Sequence, residues 1–529
     1  MLRWMGLYGT SFLVCALAGM VDSRPGYAAD SPLSLRAGAH AQDITPPKFP
    51  ISVNGNFSDQ QATAAHDPLH ARCLVLKNSE CSLAIVVCDS CMIPRELMDR
   101  AKLLASTKTG IPVSQILISA THAHSCPTVA PVFQSEPDKD YVEFLVEQIA
   151  LGIERANNQL EPARIGFGSV EELNQVYNRR WPVKKIPKAE AGRGDKAKAK
   201  LKSSADDATL VDDTVENPFG KKVDRIITNP GIGNQRVIAE WRGPTDPELS
   251  FLSVQSREGR PIALLANYSL HYVGGVPGDV VSADYFGEFA ALLTQQMNAA
   301  TAVPAFVGIM SNGTSGDVNN VNFGALAAQN REPFEQIDFV ARLLAQKVAK
   351  ACEKIDYHDE LPLRAREAEI VLGVRKPIEQ EVLTAKRELA EASPDSLKQQ
   401  KLIYARETVL LSEYPSSVRV KIQAMRIGNL LIAACPCETF TETGLAIKNF
   451  PEIGVPFRYE AGSSSKKKNS PFKIFTISLA NGYNGYLPPA SQMLLGGYET
   501  WRARSSYLGA DAETTVYSTI HRLLSEVSH

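Results

Sequence analysis

Six short apolar runs, at 83–88, 115–120, 261–266, 305–310, 430–434 and 474–479, each have the length of one buried strand. Between and around them lie helical patterns at 141–157, 285–297, 334–355 and 514–526. A strand that is apolar on both faces needs a covering layer on each, and interleaved helices supply such layers. The pattern therefore predicts an α/β fold, with a large mixed sheet and helices packed around it. In such folds ligands gather at the carboxyl ends of strands, and five of these runs end in polar clusters. The run at 115–120 leads into Thr121-His122-Ala123-His124-Ser125, and that at 261–266 into Asn267-Tyr268-Ser269-Leu270-His271. Ser311 to Asn320 follows 305–310, Cys435-Pro436-Cys437-Glu438-Thr439 follows 430–434, and Asn481 to Tyr486 follows 474–479.

The rest of the chain sets the context for these clusters. Over 529 residues, 44% are hydrophobic and 22% charged, the balance of a globular protein. A formal net charge of -2 gives no electrostatic reason to expect nucleic acid. At the N-terminus Arg3 precedes an apolar stretch at 4–21, and Gly26-Tyr27-Ala28 has the small-x-small form of a signal-peptidase site. Residues 1–28 are therefore expected to be a signal peptide, and the mature chain to be secreted or periplasmic. Cys88 with Cys91, and Cys435 with Cys437, read as structural thiols at strand ends. Residues 183–222, rich in Lys, Ala, Asp and Ser, are expected to form a flexible insertion. Residues 377–411, charged, helical and broken near Ser393-Pro394, are expected to form a helical hairpin. Nothing in the sequence specifies an oligomeric state.

Side chains two apart on an extended strand point to one side, so His122 and His124 can converge on one point. Of the nine histidines only these two and His271 stand at strand ends. A single histidine is more often a satisfied core or surface residue than a ligand. Two imidazoles together with Glu438 match the donor set of a catalytic zinc ion that keeps a position open for water.

These segments resemble the neutral ceramidase family. The resemblance runs through Ala37-Gly38 to Asp43-Ile44-Thr45-Pro46-Pro47, His66-Asp67-Pro68-Leu69-His70-Ala71-Arg72, and Thr121 to Ser125. It continues through His271 with Val281-Ser282-Ala283-Asp284-Tyr285, then Glu438 in Cys437-Glu438-Thr439-Phe440, where Cys437 replaces the family's glycine. Tyr483-Asn484-Gly485-Tyr486 with Tyr498-Glu499 closes the series. The resemblance spans nearly the whole of 29–529, which would form one zinc hydrolase domain with its active site at strand ends. The family's separate C-terminal β domain is expected to be missing.

Position by position, the resemblance makes His122, His271, Glu438 and Tyr486 the ligands of one zinc ion per chain. His124 would serve beside the metal as acid–base group, Tyr498 would steady the carbonyl oxygen, and Arg179 would belong to the active-site arginine block. Arg180 stands where the family has a small hydroxyl residue. Asn319 stands where it has a serine, and would hydrogen-bond substrate along with Asp317. The implied activity is hydrolysis of a linear amide, ceramide or another N-acyl compound, with zinc-activated water as the attacking species. A sphingolipid substrate would bring peripheral contact with a membrane. The competing readings are a zinc esterase or other hydrolase on the same scaffold, and a catalytically degenerate exported binding protein.

Overall fold

Strand β3 (Ser82–Cys88) shows why the runs are continuous rather than alternating. Its Leu83, Ile85 and Val87 face one apolar cluster and its Ala84, Val86 and Cys88 face another, all fully buried. The computed structural model describes residues 31–184, 186–187, 210–211, 213–238, 240–325, 330–449 and 472–529. Pro32–His529 form one unit. The expected signal peptide lies outside the described residues, as does most of the expected insertion. The described ends of that insertion are paired strands, Ile186–Pro187 with Leu210–Val211 and Val215–Glu216 with Lys222–Asp224.

The large sheet contains β1 (Arg36–Asp43), β2 (His70–Lys77), β3, β4 (Ile116–Ala120), β5 (Glu161–Glu171), β6 (Glu248–Ser256), β7 (Pro261–Tyr268) and β8 (Val307–Asn312). Their spatial order is β8-β7-β6-β5-β1-β2-β3-β4, with Tyr357–His358 pairing on β5 as a ninth strand. A second sheet runs β9 (Leu363–Gly373), β10 (Ser417–Ile427), β11 (Leu430–Ala434) and β12 (Lys473–Ile477) in chain order. The two sheets pack face to face: Ile85, Leu117, Leu252 and Leu265 of the first share a buried cluster with Met425, Ile432 and Phe475 of the second.

Helices close both outer faces. α1 (Arg95–Thr109), α2 (Lys139–Asn158), α3 (Asp284–Gln296) and α4 (Glu335–Cys352) pack on the large sheet. α5 (Glu379–Glu391) and α6 (Gln400–Ser412) form the expected hairpin, broken by a 3-10 turn at Pro394–Lys398. α7 (Thr441–Lys448) and α8 (Ala512–Ser528) pack on the second sheet, where Val516, Ile520, Leu523 and Leu524 meet Ile422, Ala424 and Leu431. The α/β class and the large mixed sheet hold. The second sheet comes from longer strands such as β9, in which charged residues on both faces interrupt any apolar run.

Within the described strands of these two sheets, three pairs are parallel: β3/β4, β7/β8 and β11/β12. Each is joined by a crossover carrying a helix, α1, α3 and α7 respectively. The polar clusters follow the carboxyl ends of these parallel strands. β4 and β8 are opposite edges of the large sheet, yet β8 touches β2, β3 and β4, so the sheet curls until its edges meet. Asn312 at the end of β8 joins three strand ends. Its amide donates to Thr121 O at 3.2 Å, and its carbonyl accepts from Ser478 N at 3.0 Å.

A buried polar link lies between α1 and the second sheet. Lys102, fully buried, donates to Asn481 Oδ1 at 2.7 Å, and Asn481 Nδ2 donates to Gln423 Oε1 of β10 at 2.9 Å. Burial pushes the Lys102 ammonium down from 10.5 to about 8, against the pull of Glu367. Removing the acceptor with Asn481→Ala is expected to cost about 1–3 kcal/mol of stability in urea unfolding. Between pH 8 and 10.5 the folded chain binds fewer protons at Lys102 than the unfolded chain, so its contribution to stability rises with pH. Wild type should therefore gain stability relative to Lys102→Met across that window, measured by unfolding at fixed pH steps.

Candidate metal centre

β4 ends at Ala120, and the chain then turns instead of continuing extended. His122 has φ of +72°, the left-handed region that costs a non-glycine residue about 1–3 kcal/mol. Its backbone is held there by Thr121 N to Cys88 O and His122 N to Ser90 O, both 2.9 Å. The two imidazoles do converge, with Nε2 atoms 3.2 Å apart, but a strained turn achieves it rather than strand alternation. His124 sits between Tyr272, stacked at 3.8 Å between ring centroids, and the backbone of Gly55. A Cβ at residue 55 would lie 2.4 Å from His124 Cγ, so only glycine leaves room for the ring.

His271 arrives from the end of β7 and Glu438 from the end of β11. Donor atoms of His122, His271 and Glu438 all lie within 4.8 Å of one another, and all three residues are buried. A second group of this kind, Cys91, His122 and His124, shares His122. His122 Nδ1 donates to Cys91 O at 2.8 Å and His271 Nδ1 to Ser315 O at 3.0 Å. In the neutral ring each bond fixes the tautomer that leaves Nε2 as a lone pair facing the cluster. His271 Nε2 and Glu438 Oε2 are buried without any hydrogen-bond partner, and Glu438 Oε2 lies 3.1 Å from His122 Nε2. Lone pairs and a carboxylate turned on one another in buried space fit a cation.

The electrostatics differ from ring to ring. Burial, with Arg179 and the neighbouring imidazoles, holds His271 well below its ordinary value, and burial with His122 and Arg179 does the same to His124. Burial works against charge on His122 too, but Glu438 and Cys91 carry it well above its ordinary value. His124 is the most open of the three rings and lines a cavity of about 190 Å³ with Asn56, Gln60, Tyr272 and Gly274–Gly278.

Tyr486 is set beside Glu438 by a short parallel pairing, Glu438–Thr439 with Tyr486–Leu487, in which the two are register partners. Its hydroxyl accepts from Arg179 Nη2 at 3.0 Å. Arg179 also donates to Gly316 O at 2.8 Å and, through Nε, to Glu499 Oε1 at 2.9 Å. Arg180, in place of a small hydroxyl residue, donates to Glu499 Oε2 at 2.6 Å and to Gly496 O at 2.8 Å. Fully buried Glu499 thus joins both arginines to the turn that carries Tyr498. Tyr498 stands edge-on to Tyr486 at 5.5 Å and packs on Phe57 and Trp501. The α5–α6 hairpin braces this turn through Tyr404 against Trp501 and the buried Glu407–Arg504 pair.

Asn319 and Asp317 lie elsewhere in the hydrogen-bond network. Asn319 donates to Asn229 Oδ1 at 2.7 Å and accepts from Val321 N at 2.7 Å. Asp317 Oδ1 accepts from Thr441 N and Oγ1, and Oδ2 from Asn178, which straps the turn after β8 to the start of α7. The side-chain bonds of both are made within the protein. Residues without a role in the sequence reading do reach the cluster: Cys91 through its carbonyl, Glu499, and Tyr483, whose hydroxyl donates to Glu438 Oε1 at 3.1 Å. A signal for Tyr483 existed in its place three residues before Tyr486. Gly485 bends the chain between them, with φ of +73° and no space for a Cβ against Ser505 O.

Two stacked mixed sheets between helical layers, with donors converging at the ends of parallel strands, define an α/β protein with a candidate metal centre at its strand ends. Comparison with solved structures makes the fold more specific: it is neutral ceramidase-like. The crystal structure of neutral ceramidase from Pseudomonas aeruginosa matches with a TM-score of 0.63 and 18% identity, over 94% of this chain and 75% of that one. A ceramidase complexed with C2 matches with a TM-score of 0.61 and 17% identity over the same shares. No family model and no curated protein sequence matches the chain.

Replacing Glu499 with alanine would leave two buried guanidinium groups without their shared carboxylate. Glu499→Ala is expected to lose about 3–5 kcal/mol, read as a fall in the urea midpoint.

Proposed function

We propose that this chain is an exported, zinc-dependent hydrolase that cleaves a linear amide bond in ceramide or another N-acyl compound. The observation that carries the reading is the pair of buried, unpartnered donor atoms, His271 Nε2 and Glu438 Oε2, beside His122 in a neutral ceramidase-like fold. His122, His271, Glu438 and Tyr486 would hold one zinc ion. Bound zinc supplies Lewis acidity towards a carbonyl oxygen and lowers the pKa of water to about 7 in well-studied sites. Export rests on the N-terminal segment of the sequence alone.

The chain's own residues divide the remaining work. His124 is seated rigidly between Gly55 and Tyr272 and faces the cavity, so its Nε2 can take a proton from water and pass it to the departing amine. That transfer matters because an amine leaves far more readily than its anion. Tyr498 would donate its hydroxyl to the oxygen on which charge develops, a contribution of about 3 kcal/mol for one such donor. Arg179 acts through Tyr486: its positive charge beside the phenol opposes the effect of burial, which otherwise holds that hydroxyl protonated. Tight turns and buried ion pairs hold each of these groups before substrate arrives.

A panel of N-acyl amides and the corresponding esters tests the assignment. Wild type is expected to cleave at least one amide, with activity lost to a strong chelator and restored by zinc. His122→Ala and Glu438→Ala should each lower kcat/KM by at least about 100-fold, the upper range for removing a mere outer-shell partner. Amide turnover indifferent to both substitutions and to chelation would place catalysis elsewhere. Turnover confined to esters would establish the esterase instead.

A further inference from the structure

We infer that Tyr483 is a positioning residue of the metal centre, which determines the carboxylate oxygen that Glu438 presents to the ion; this rests on the metal reading above. The two oxygens of Glu438 have different surroundings. Oε1 accepts the Tyr483 hydroxyl at 3.1 Å, while Oε2 is buried, has no hydrogen-bond partner and lies 3.1 Å from His122 Nε2. A carboxylate with both oxygens free can rotate, or can grip a cation through both at once. Here either motion would break the bond to Tyr483. The hydroxyl thus selects one-oxygen ligation by Oε2, which keeps the remaining coordination position open for water or substrate.

Tyr483 is fixed relative to Glu438 by backbone as well as by this bond. Asn484 N donates to Pro436 O at 2.8 Å and Glu438 N to Gly485 O at 2.9 Å, so the two segments are joined on either side of the pair. Tyr486 N is in turn held by Ser505 O at 2.8 Å. Two residues before Tyr483, Asn481 is anchored to Lys102 and Gln423 beneath the site. The ring packs partly buried against two apolar clusters, one with Phe57, Tyr404 and Trp501. That packing holds the ring without any help from the hydroxyl, whose one hydrogen-bond acceptor among the described residues is Glu438. The hydroxyl's role is therefore separable from the ring's.

Tyr483→Phe removes the hydroxyl and keeps the ring. In the full-length protein, zinc affinity measured by competition with a chromophoric chelator is expected to weaken about 10–100-fold, the usual range for loss of an outer-shell partner. Near-ultraviolet circular dichroism of the metal-free protein should be unchanged. With cobalt(II) in place of zinc, the visible absorption of Tyr483→Phe should fall in intensity, as a carboxylate binding through both oxygens raises the coordination number. Equal zinc affinity in wild type and variant would overturn the inference, and so would weaker binding with an unaltered cobalt spectrum, which indicates general loosening. A wild-type protein that binds no zinc would overturn the metal reading itself, and this inference with it.

Discussion

Three donor atoms converge in the interior, and two of them, His271 Nε2 and Glu438 Oε2, have no hydrogen-bond partner. His122 Nε2, His271 Nε2 and Glu438 Oε2 lie within a few ångströms of one another in buried space, and the tautomers fixed by Cys91 O and Ser315 O turn lone pairs inwards. Buried polar atoms normally have partners, and each one left without costs about 1–3 kcal/mol. A cation removes that cost at His271 Nε2 and Glu438 Oε2 together. The turns around the cluster make sense as the means of holding this arrangement.

Its assembly follows from topology. Each parallel strand pair requires a helical crossover, and each crossover returns the chain with its strand ends on the same side. β4, β7, β8, β11 and β12 therefore deliver their polar clusters to one place, and Asn312 joins the ends of three of them. Residues with left-handed backbone, His122, Leu479 and Asn481, lie at these junctions, where the chain must reverse within one or two residues. Around the donors, Glu499 ties Arg179 and Arg180 to the turn of Tyr498, while α5 and α6 brace that turn from outside.

Much of this was legible in the residues. Apolar runs buried on both faces marked β3, β4, β7, β8, β11 and β12, and the polar clusters beyond them contain the residues that the structure brings together. The second sheet was less legible, because charged residues interrupt β9 on both faces, and pairing between distant strands leaves no local pattern. The turn at His122 was also hidden: strand periodicity gives the right convergence through the wrong local geometry. Asn319 and Asp317 read as substrate contacts by position in a motif; in the fold their side chains bond Asn229, Val321, Thr441 and Asn178. Tyr483 stood in the tyrosine block of the sequence without a role, because its bond to Glu438, 45 residues away in the chain, leaves no local pattern.

Anomalous X-ray scattering tests the central claim most directly, in crystals grown with zinc and measured on both sides of its absorption edge. One peak per chain is expected between His122 Nε2, His271 Nε2 and Glu438 Oε2, at the 2.0–2.2 Å from nitrogen and oxygen ligands that zinc adopts. A cluster without such a peak, or a zinc ion bound only elsewhere on the chain, would contradict the account.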